Sequence, residues 1–438
     1  MPEDRDDRYF GFVQTLDAKP RRRLFEVLRG QGFQMNQDIT FLTDGGDDVR
    51  DLALAHDGAH EPHTHQSEAV EAWIGGGRRG VVVLPTGSGK SYVAELVMSA
   101  VGRSTLVVAP TLDLVDQWIR RLERAFSITV GALGGGRHEV SDVTVSTYDS
   151  AAIHMARLGD RFGLVIFDEV HHLPGEMFRQ AAEHVIAPFR LGLTATPERD
   201  DGRHSLYEEL VGPEVYRQEI RDLAGDVLSE YRVETVEVEM SEDDRGAYDA
   251  ARAQYRGFVD SQGIRMGGGG WQRFLAATSR SEEGRAALGA YHEQKRLALA
   301  HARKLDALEE ILTAHWTDRT IVFTNDNESV YRISERFLCP TITHQTPLAE
   351  RSEILRRFAD GTYRVVVTSK VLNEGVDVPA ASVAVVLSGT GSVREHVQRL
   401  GRILRRAEGK QALLYELVTA DSVESHQSLR RREHDAYR

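Results

Sequence analysis

The continuous apolar run Val81-Val82-Val83-Leu84 breaks into Pro85-Thr86-Gly87-Ser88-Gly89-Lys90-Ser91 and then into an amphipathic stretch over 92–101. Strand, glycine-rich turn and helix start, in that order, make an anion site. The glycines admit close backbone approach, and the helix N-terminus points its N–H groups at the ligand. Thr86, Gly87, Ser88 and Gly89 then form a phosphate cradle. Lys90 can reach the β- and γ-phosphates of a nucleoside triphosphate, and the Ser91 hydroxyl suits Mg²⁺. Leu84 stands where the strict motif carries one more glycine.

A strand that delivers such a turn needs parallel neighbours. From about 61 to 205 apolar strands at 81–84, 105–109, 142–146, 163–168 and 190–194 alternate with helical stretches that include 111–126 and 174–187. That alternation predicts a parallel sheet covered by helices, with ligands at the carboxyl ends of its strands. The chemically loaded segments all follow strands: Pro85 to Ser91, Pro110-Thr111, Asp168-Glu169 and Thr194-Ala195-Thr196. A second α/β unit spans about 206–438, with strands at 320–324, 363–368, 383–388 and 411–417. Residues from about 242 to 300 interrupt it with helices around Gly267-Gly268-Gly269-Gly270, packed through Tyr248, Tyr255, Phe258, Trp271 and Phe274. Residues 1–60 read as a small polar N-terminal domain, with a helix from Arg21 to Leu28, a short strand at 39–42 and a turn-rich connector.

The segment Leu164-Val165-Ile166-Phe167-Asp168-Glu169-Val170-His171-His172 ends a buried strand in two carboxylates. Asp168 would hold Mg²⁺, directly or through water. Glu169 would orient and deprotonate the water that attacks a γ-phosphate.

Composition excludes little. The 438 residues suffice for two or three domains, and no apolar run approaches the roughly 20 residues of a membrane span. The first eight residues show no signal-peptide pattern, so a cytoplasmic location, beside the nucleoid in a prokaryote, is expected. Cys339 is the only cysteine, which rules out an internal disulfide and any cysteine-based metal cluster. His56, His60, His63 and His65 cluster without a fixed zinc-ligand spacing. The net charge of −13 leaves room for a locally basic groove. Of the 54 basic residues 6 are lysine and 48 arginine, a bias that GC-rich coding explains more readily than salt adaptation.

Taken together, the motifs resemble those of superfamily 2 helicases, in the form found in archaeal-type members of the XPB family. Asp168-Glu169-Val170-His171-His172 resembles motif II, and Gln66 resembles the adenine-reading Q element. Pro110 to Trp118 resembles motif Ia, with Thr111 in it, and Thr194-Ala195-Thr196 resembles motif III. Thr368 to Asp377 resembles motif V, and Gln398-Arg399-Leu400-Gly401-Arg402-Ile403-Leu404-Arg405 resembles motif VI. His63 stands where the family has arginine, and Arg199-Asp200-Asp201 where it has Arg-Glu-Asp.

The resemblance implies two RecA-like domains in tandem, with ATP and Mg²⁺ bound between them. Gln66, Gly375 and Asp377 would join the nucleotide site, and Arg402 and Arg405 would complete it from the second domain. It implies DNA or strand-separation contacts at Thr111, Arg199, Asp200, Asp201 and Thr368. The insertion at about 242–300 corresponds to a DNA-gripping thumb, with Arg252, Arg256, Arg265 and Arg273 as phosphate contacts. The activity implied is ATP-dependent 3′→5′ DNA unwinding in nucleotide excision repair, transcription or both, beside a repair nuclease or within a larger complex. Duplex translocation without unwinding, and ATP-gated DNA binding without motor activity, are the alternatives.

Overall fold

The computed structural model describes residues 52, 54–57, 60–197, 206–265, 269–369, 381–388 and 412–425. The expected N-terminal domain, apart from its last few residues, and Arg199, Asp200, Asp201, Gly375, Asp377, Arg402 and Arg405 lie outside them.

In the first unit the chain runs α1 (Thr64–Gly75), β1 (Arg79–Val83), α2 (Lys90–Val101), β2 (Thr105–Ala109), α3 (Leu112–Phe126), β3 (Gly131–Gly134) and β4 (Arg137–Glu139). It continues with β5 (Val143–Thr147), α4 (Tyr148–Leu158), β6 (Leu164–Asp168), α5 (Arg179–Glu183), β7 (Phe189–Thr194), α6 (Leu206–Leu210) and β8 (Glu214–Arg217). The sheet order is β4-β3-β5-β2-β6-β7-β1-β8, parallel except for the β3–β4 hairpin. Strand β8 hydrogen-bonds to β1 in parallel, so the first sheet runs past the expected boundary at 205.

Both faces of this sheet are buried, which is why its strands read as unbroken apolar runs rather than alternating ones. Successive side chains go to opposite faces. Val82 and Leu84 pack with Trp73 of α1, Val93 and Val97 of α2 and Leu122 of α3. Val81 and Val83 pack with Tyr148 and Met155 of α4, Ala181 of α5 and Leu210 of α6. Each fully buried Val or Leu stabilises the sandwich by roughly 1.5–3 kcal/mol. Helices α3 and α4 start on side-chain caps: Thr111 accepts from the Leu114 N–H at 3.3 Å, and Thr147 from the Ser150 N–H at 3.2 Å.

The second unit runs α7 (Ile220–Leu223), β9 (Tyr231–Val238), α8 (Glu242–Ser261), α9 (Gly270–Thr278), α10 (Glu282–Ala300), α11 (Ala302–Ala314), β10 (Thr320–Phe323) and α12 (Asn327–Phe337). It ends with β11 (Thr341–Ile342), α13 (Leu348–Ala359), β12 (Val365–Thr368), β13 (Val383–Val386) and β14 (Ala412–Thr419). Its described strands form an all-parallel sheet in the order β11-β12-β10-β13-β14-β9. Ile321 and Phe323 face a core with α7 and α13, and Val322 faces one with α11 and α12. Cys339 belongs to the latter core, where burial pushes its thiol up to about 11.

Helices α8, α9 and α10 form the insertion expected at about 242–300. Its root is sewn to the turn after β14: Arg245 donates to the Ala420 carbonyl at 2.7 Å, and the Val423 N–H donates to the Tyr248 hydroxyl at 3.1 Å. Arg252 belongs to that root, donating to Tyr248 Oη at 2.8 Å.

Candidate active site

The phosphate loop is held from three sides. The Leu84 N–H donates to the Thr194 carbonyl at 3.0 Å, tying the loop to the end of β7. Ser88 Oγ closes the turn on the Pro85 carbonyl at 2.8 Å. From α1, Gln66 Nε2 donates to the Ser88 carbonyl at 3.0 Å, and His65 Nε2 lies 2.9 Å from the same oxygen. Gln66 Oε1 also accepts from the His63 N–H at 3.0 Å. The side chain expected to read adenine is thus buried and braces the loop. Gly87 and Gly89 adopt φ of 90° and 92°, and a Cβ on Gly89 would come within 2.2 Å of Gln66 Nε2. Only glycine fits there. Helix α2 begins at Lys90 with no side-chain cap, which leaves its N-terminus to an anion. The Lys90 ammonium lies over the loop, 3.1 Å from the Leu84 carbonyl.

Strand β6 delivers Asp168 to the same place. Asp168 Oδ2 accepts from Trp118 Nε1 at 2.8 Å, its Oδ1 accepts from the Glu169 N–H at 3.0 Å, and its backbone carbonyl accepts from Tyr148 Oη at 2.9 Å. Burial, reinforced by the Glu169 charge, raises the Asp168 carboxyl to about 6, against the opposing pull of the Trp118 hydrogen bond and Lys90. Glu169 stands at φ 47°, left-handed for a residue with a Cβ. Its Oε2 is buried without a hydrogen bond, 3.5 Å from His171 Nδ1. His171 Nδ1 lies 3.1 Å from Thr194 Oγ1, which also accepts from the Thr196 N–H at 3.1 Å. The segments resembling motifs II and III are therefore one network.

Trp118 and Tyr148 were not among the site residues read from the sequence. Each meets Asp168 only through tertiary packing. A cavity of about 520 Å³ opens between α2 and α3, with Ser91 and Trp118 among its walls. The histidines expected as a loose cluster pack in two pairs, His56 and His60 both against Tyr92 and His63 against His65. His56 lies 2.9 Å from Glu95 Oε2, His60 stacks on Tyr92 with centroids 4.2 Å apart, and His65 holds Ser88.

Two expected DNA contacts are engaged within the protein. Thr111 caps α3, and Thr368 is fully buried with its hydroxyl on the Ser369 carbonyl at 3.1 Å. Beside Thr111, Asp113 accepts from the Arg351 guanidinium of α13, an ion pair that joins the two units and was not visible in the sequence.

Two RecA-like domains, the first carrying a phosphate loop beside paired carboxylates, define a superfamily 2 helicase-type ATPase. Residues 59–199 match the family model of the type III restriction enzyme res subunit, and residues 303–407 that of the helicase conserved C-terminal domain. The chain is 44% identical over 374 residues to DNA 3′-5′ translocase XPB2 of Sulfurisphaera tokodaii, covering 85% of each chain. It is 30% identical over 430 residues to DNA 3′-5′ helicase XPB of Mycobacterium tuberculosis, covering 95% of this chain and 70% of that one. The chain belongs to the XPB family. Among solved structures it resembles Saccharomyces cerevisiae Dbp5 bound to RNA and ADP BeF3, with TM-score 0.60, 14% identity and coverage of 86% and 88%. It also resembles the Pyrococcus furiosus Hef helicase domain, with TM-score 0.53, 20% identity and coverage of 84% and 98%. At those identities the likeness concerns the fold.

Proposed function

We propose that this chain is a DNA-dependent ATPase that moves 3′→5′ and couples hydrolysis to strand opening. The observation that carries the reading is the meeting of the glycine loop, Lys90 and the buried Asp168–Glu169 pair at the carboxyl edge of one parallel sheet. Thr86 to Ser91 cradle the phosphates. Ser91 and Asp168 offer oxygen donors only, the set a hard cation such as Mg²⁺ takes, and Glu169 carries a buried oxygen without a hydrogen bond, 3.5 Å from His171 Nδ1, placed to act as a general base. Ser91 and Asp168 would hold that Mg²⁺, which would supply neutralisation of phosphate charge. Arg402 and Arg405 complete the site from the second domain, contributing on the order of 10³–10⁵ in rate. Gly375 and Asp377 line it. Arg199, Asp200 and Asp201 act on DNA, and the α8–α10 insertion is its grip.

A specific observation favours a second reading, duplex translocation without unwinding: the relative at 44% identity bears the name translocase. Phosphate release with and without single-stranded, duplex and forked DNA tests the shared ATPase. Absence of DNA-stimulated release would leave only an ATP-gated binding factor. Strand displacement beside triplex displacement then separates unwinding from translocation. The physiological partners we assign are DNA and a repair or transcription assembly, in the cytoplasm. Among the described residues no helix is long and apolar enough to cross a membrane.

A further inference from the structure

The insertion segregates its charge along its length. At its root, 242–249 carries Glu242, Asp243, Asp244 and Asp249 against Arg245. Toward its tip, 254–285 carries Arg256, Arg265, Arg273, Arg280 and Arg285 against Asp260, Glu282 and Glu283, in a chain whose net charge is −13. Arg256, Arg265, Arg273 and Arg280 are exposed, and none forms an ion pair among the described residues. At the root, by contrast, Arg245 and Arg252 are both engaged in hydrogen bonds within the protein. Amid the tip arginines Trp271 is 38% exposed, with Leu275 one turn along the same face of α9 at 39%. The indole is braced from beneath by Tyr291, with centroids 4.8 Å apart, and by Phe274 at 5.3 Å, itself fully buried. A large ring packed against other rings and open to solvent, on a segment whose arginines are exposed, has the makings of a stacking platform. A nucleic-acid strand supplies one phosphate per base, so a counter-charge comes with each stacked ring.

We propose that Trp271 is a stacking site for an unpaired nucleobase of single-stranded DNA, with Arg256, Arg265, Arg273 and Arg280 taking the flanking phosphates. This rests on the reading of the chain as a DNA motor, and it turns the insertion from a passive clamp into a reader of unpaired strand. The test uses the full chain with Trp316→Phe. Trp316 is the other exposed tryptophan, and Trp73 and Trp118 are buried. A poly-dT oligonucleotide should quench tryptophan emission, whereas a blunt duplex of equal length should not. Trp271→Ala should lose that quench and weaken oligonucleotide binding by roughly tenfold. Trp271→Phe should keep most of the affinity, a rescue that separates stacking from loss of fold, and Arg273→Ala should lower the salt dependence of binding. Equal quenching by duplex, or unchanged oligonucleotide affinity in Trp271→Ala, overturns the proposal; the latter leaves Trp271 to a protein partner. DNA-stimulated phosphate release by the unaltered chain, measured alongside, reads the motor assignment separately.

Discussion

Glu169 occupies a left-handed backbone conformation that costs a residue with a Cβ on the order of 1 kcal/mol, and its Oε2 is buried without a hydrogen bond. A strained backbone and a buried acceptor beside a phosphate loop fit the general-base role proposed for Glu169. Glu169→Gln should keep ATP binding, relieve part of that desolvation and lower kcat by roughly 10²–10⁴-fold, as single-turnover and equilibrium-binding measurements would read. Near-intact turnover would move the base elsewhere. Asp168 makes a second prediction at this scale. Its carboxyl rises from 3.8 unfolded to about 6 in the fold, so the folded state holds the proton longer. Stability from this group therefore falls as pH rises through the window from about 4 to 6, and the deficit persists above it. Without Mg²⁺, Asp168→Asn should raise the Tm at pH 7 and flatten that slope, while abolishing hydrolysis. Trp118→Phe removes a hydrogen bond that favours the charged carboxylate. The acid limb of the ATPase profile should then move to higher pH; a limb that stays in place would show that Asp168 ionisation does not set it.

At the scale of elements, the insertion separates into a root and a tip. Met240, Tyr248, Leu297 and Ala298 pack together with Val423, so removing the whole of 242–300 would tear the core beneath β14. Excision of about 254–290, bridged by a short Gly/Ser linker, should instead spare DNA-free ATP hydrolysis and lower DNA-stimulated turnover and processivity. Unwinding of forked DNA at the intact rate would reduce the insertion to an appendage. The elements also differ in how far the sequence exposed them. Strands β1, β2, β5, β6 and β7 are doubly buried, so their apolar runs stood out and matched expectation within two residues. The edge strands did not. In β8 no residue is fully buried, and β9 alternates charge with apolar residues only through Arg232 and Glu234, the pattern breaking at Glu237, so the period-two signal is short. The same distinction governs the site. The loop and the Asp168–Glu169 pair are contiguous in sequence and were legible. The Trp118–Asp168 and Gln66–Ser88 bonds join residues 50 and 22 apart, which local pattern cannot reveal.

Across the whole molecule, the chemistry of one domain must be felt by the other if hydrolysis is to move DNA. Among the described residues the Arg351 guanidinium donates to Asp113, a direct tie with side chains only 13% and 17% exposed. Asp113 is the acidic residue in the first turn of α3, beside its Thr111 cap, and α3 also carries Trp118, whose indole holds Asp168. A chain of contacts thus runs from α13 through α3 to the carboxylate assigned to Mg²⁺. Partial burial lifts this pair above an exposed surface bridge, for which about 0–1 kcal/mol is typical. The prediction is a double-mutant cycle on kcat/KM for ATP in the presence of DNA. Arg351→Ala and Asp113→Ala should each lower it, and the double variant should be no worse than the more damaging single one, giving a coupling energy on the order of 1 kcal/mol. Exchange of the two charges should restore part of the loss. The coupling should shrink when DNA is omitted, because the tie then has no strand to work against. Additive effects, or equal coupling with and without DNA, would make the pair a plain structural bridge and leave communication between the domains to the nucleotide itself.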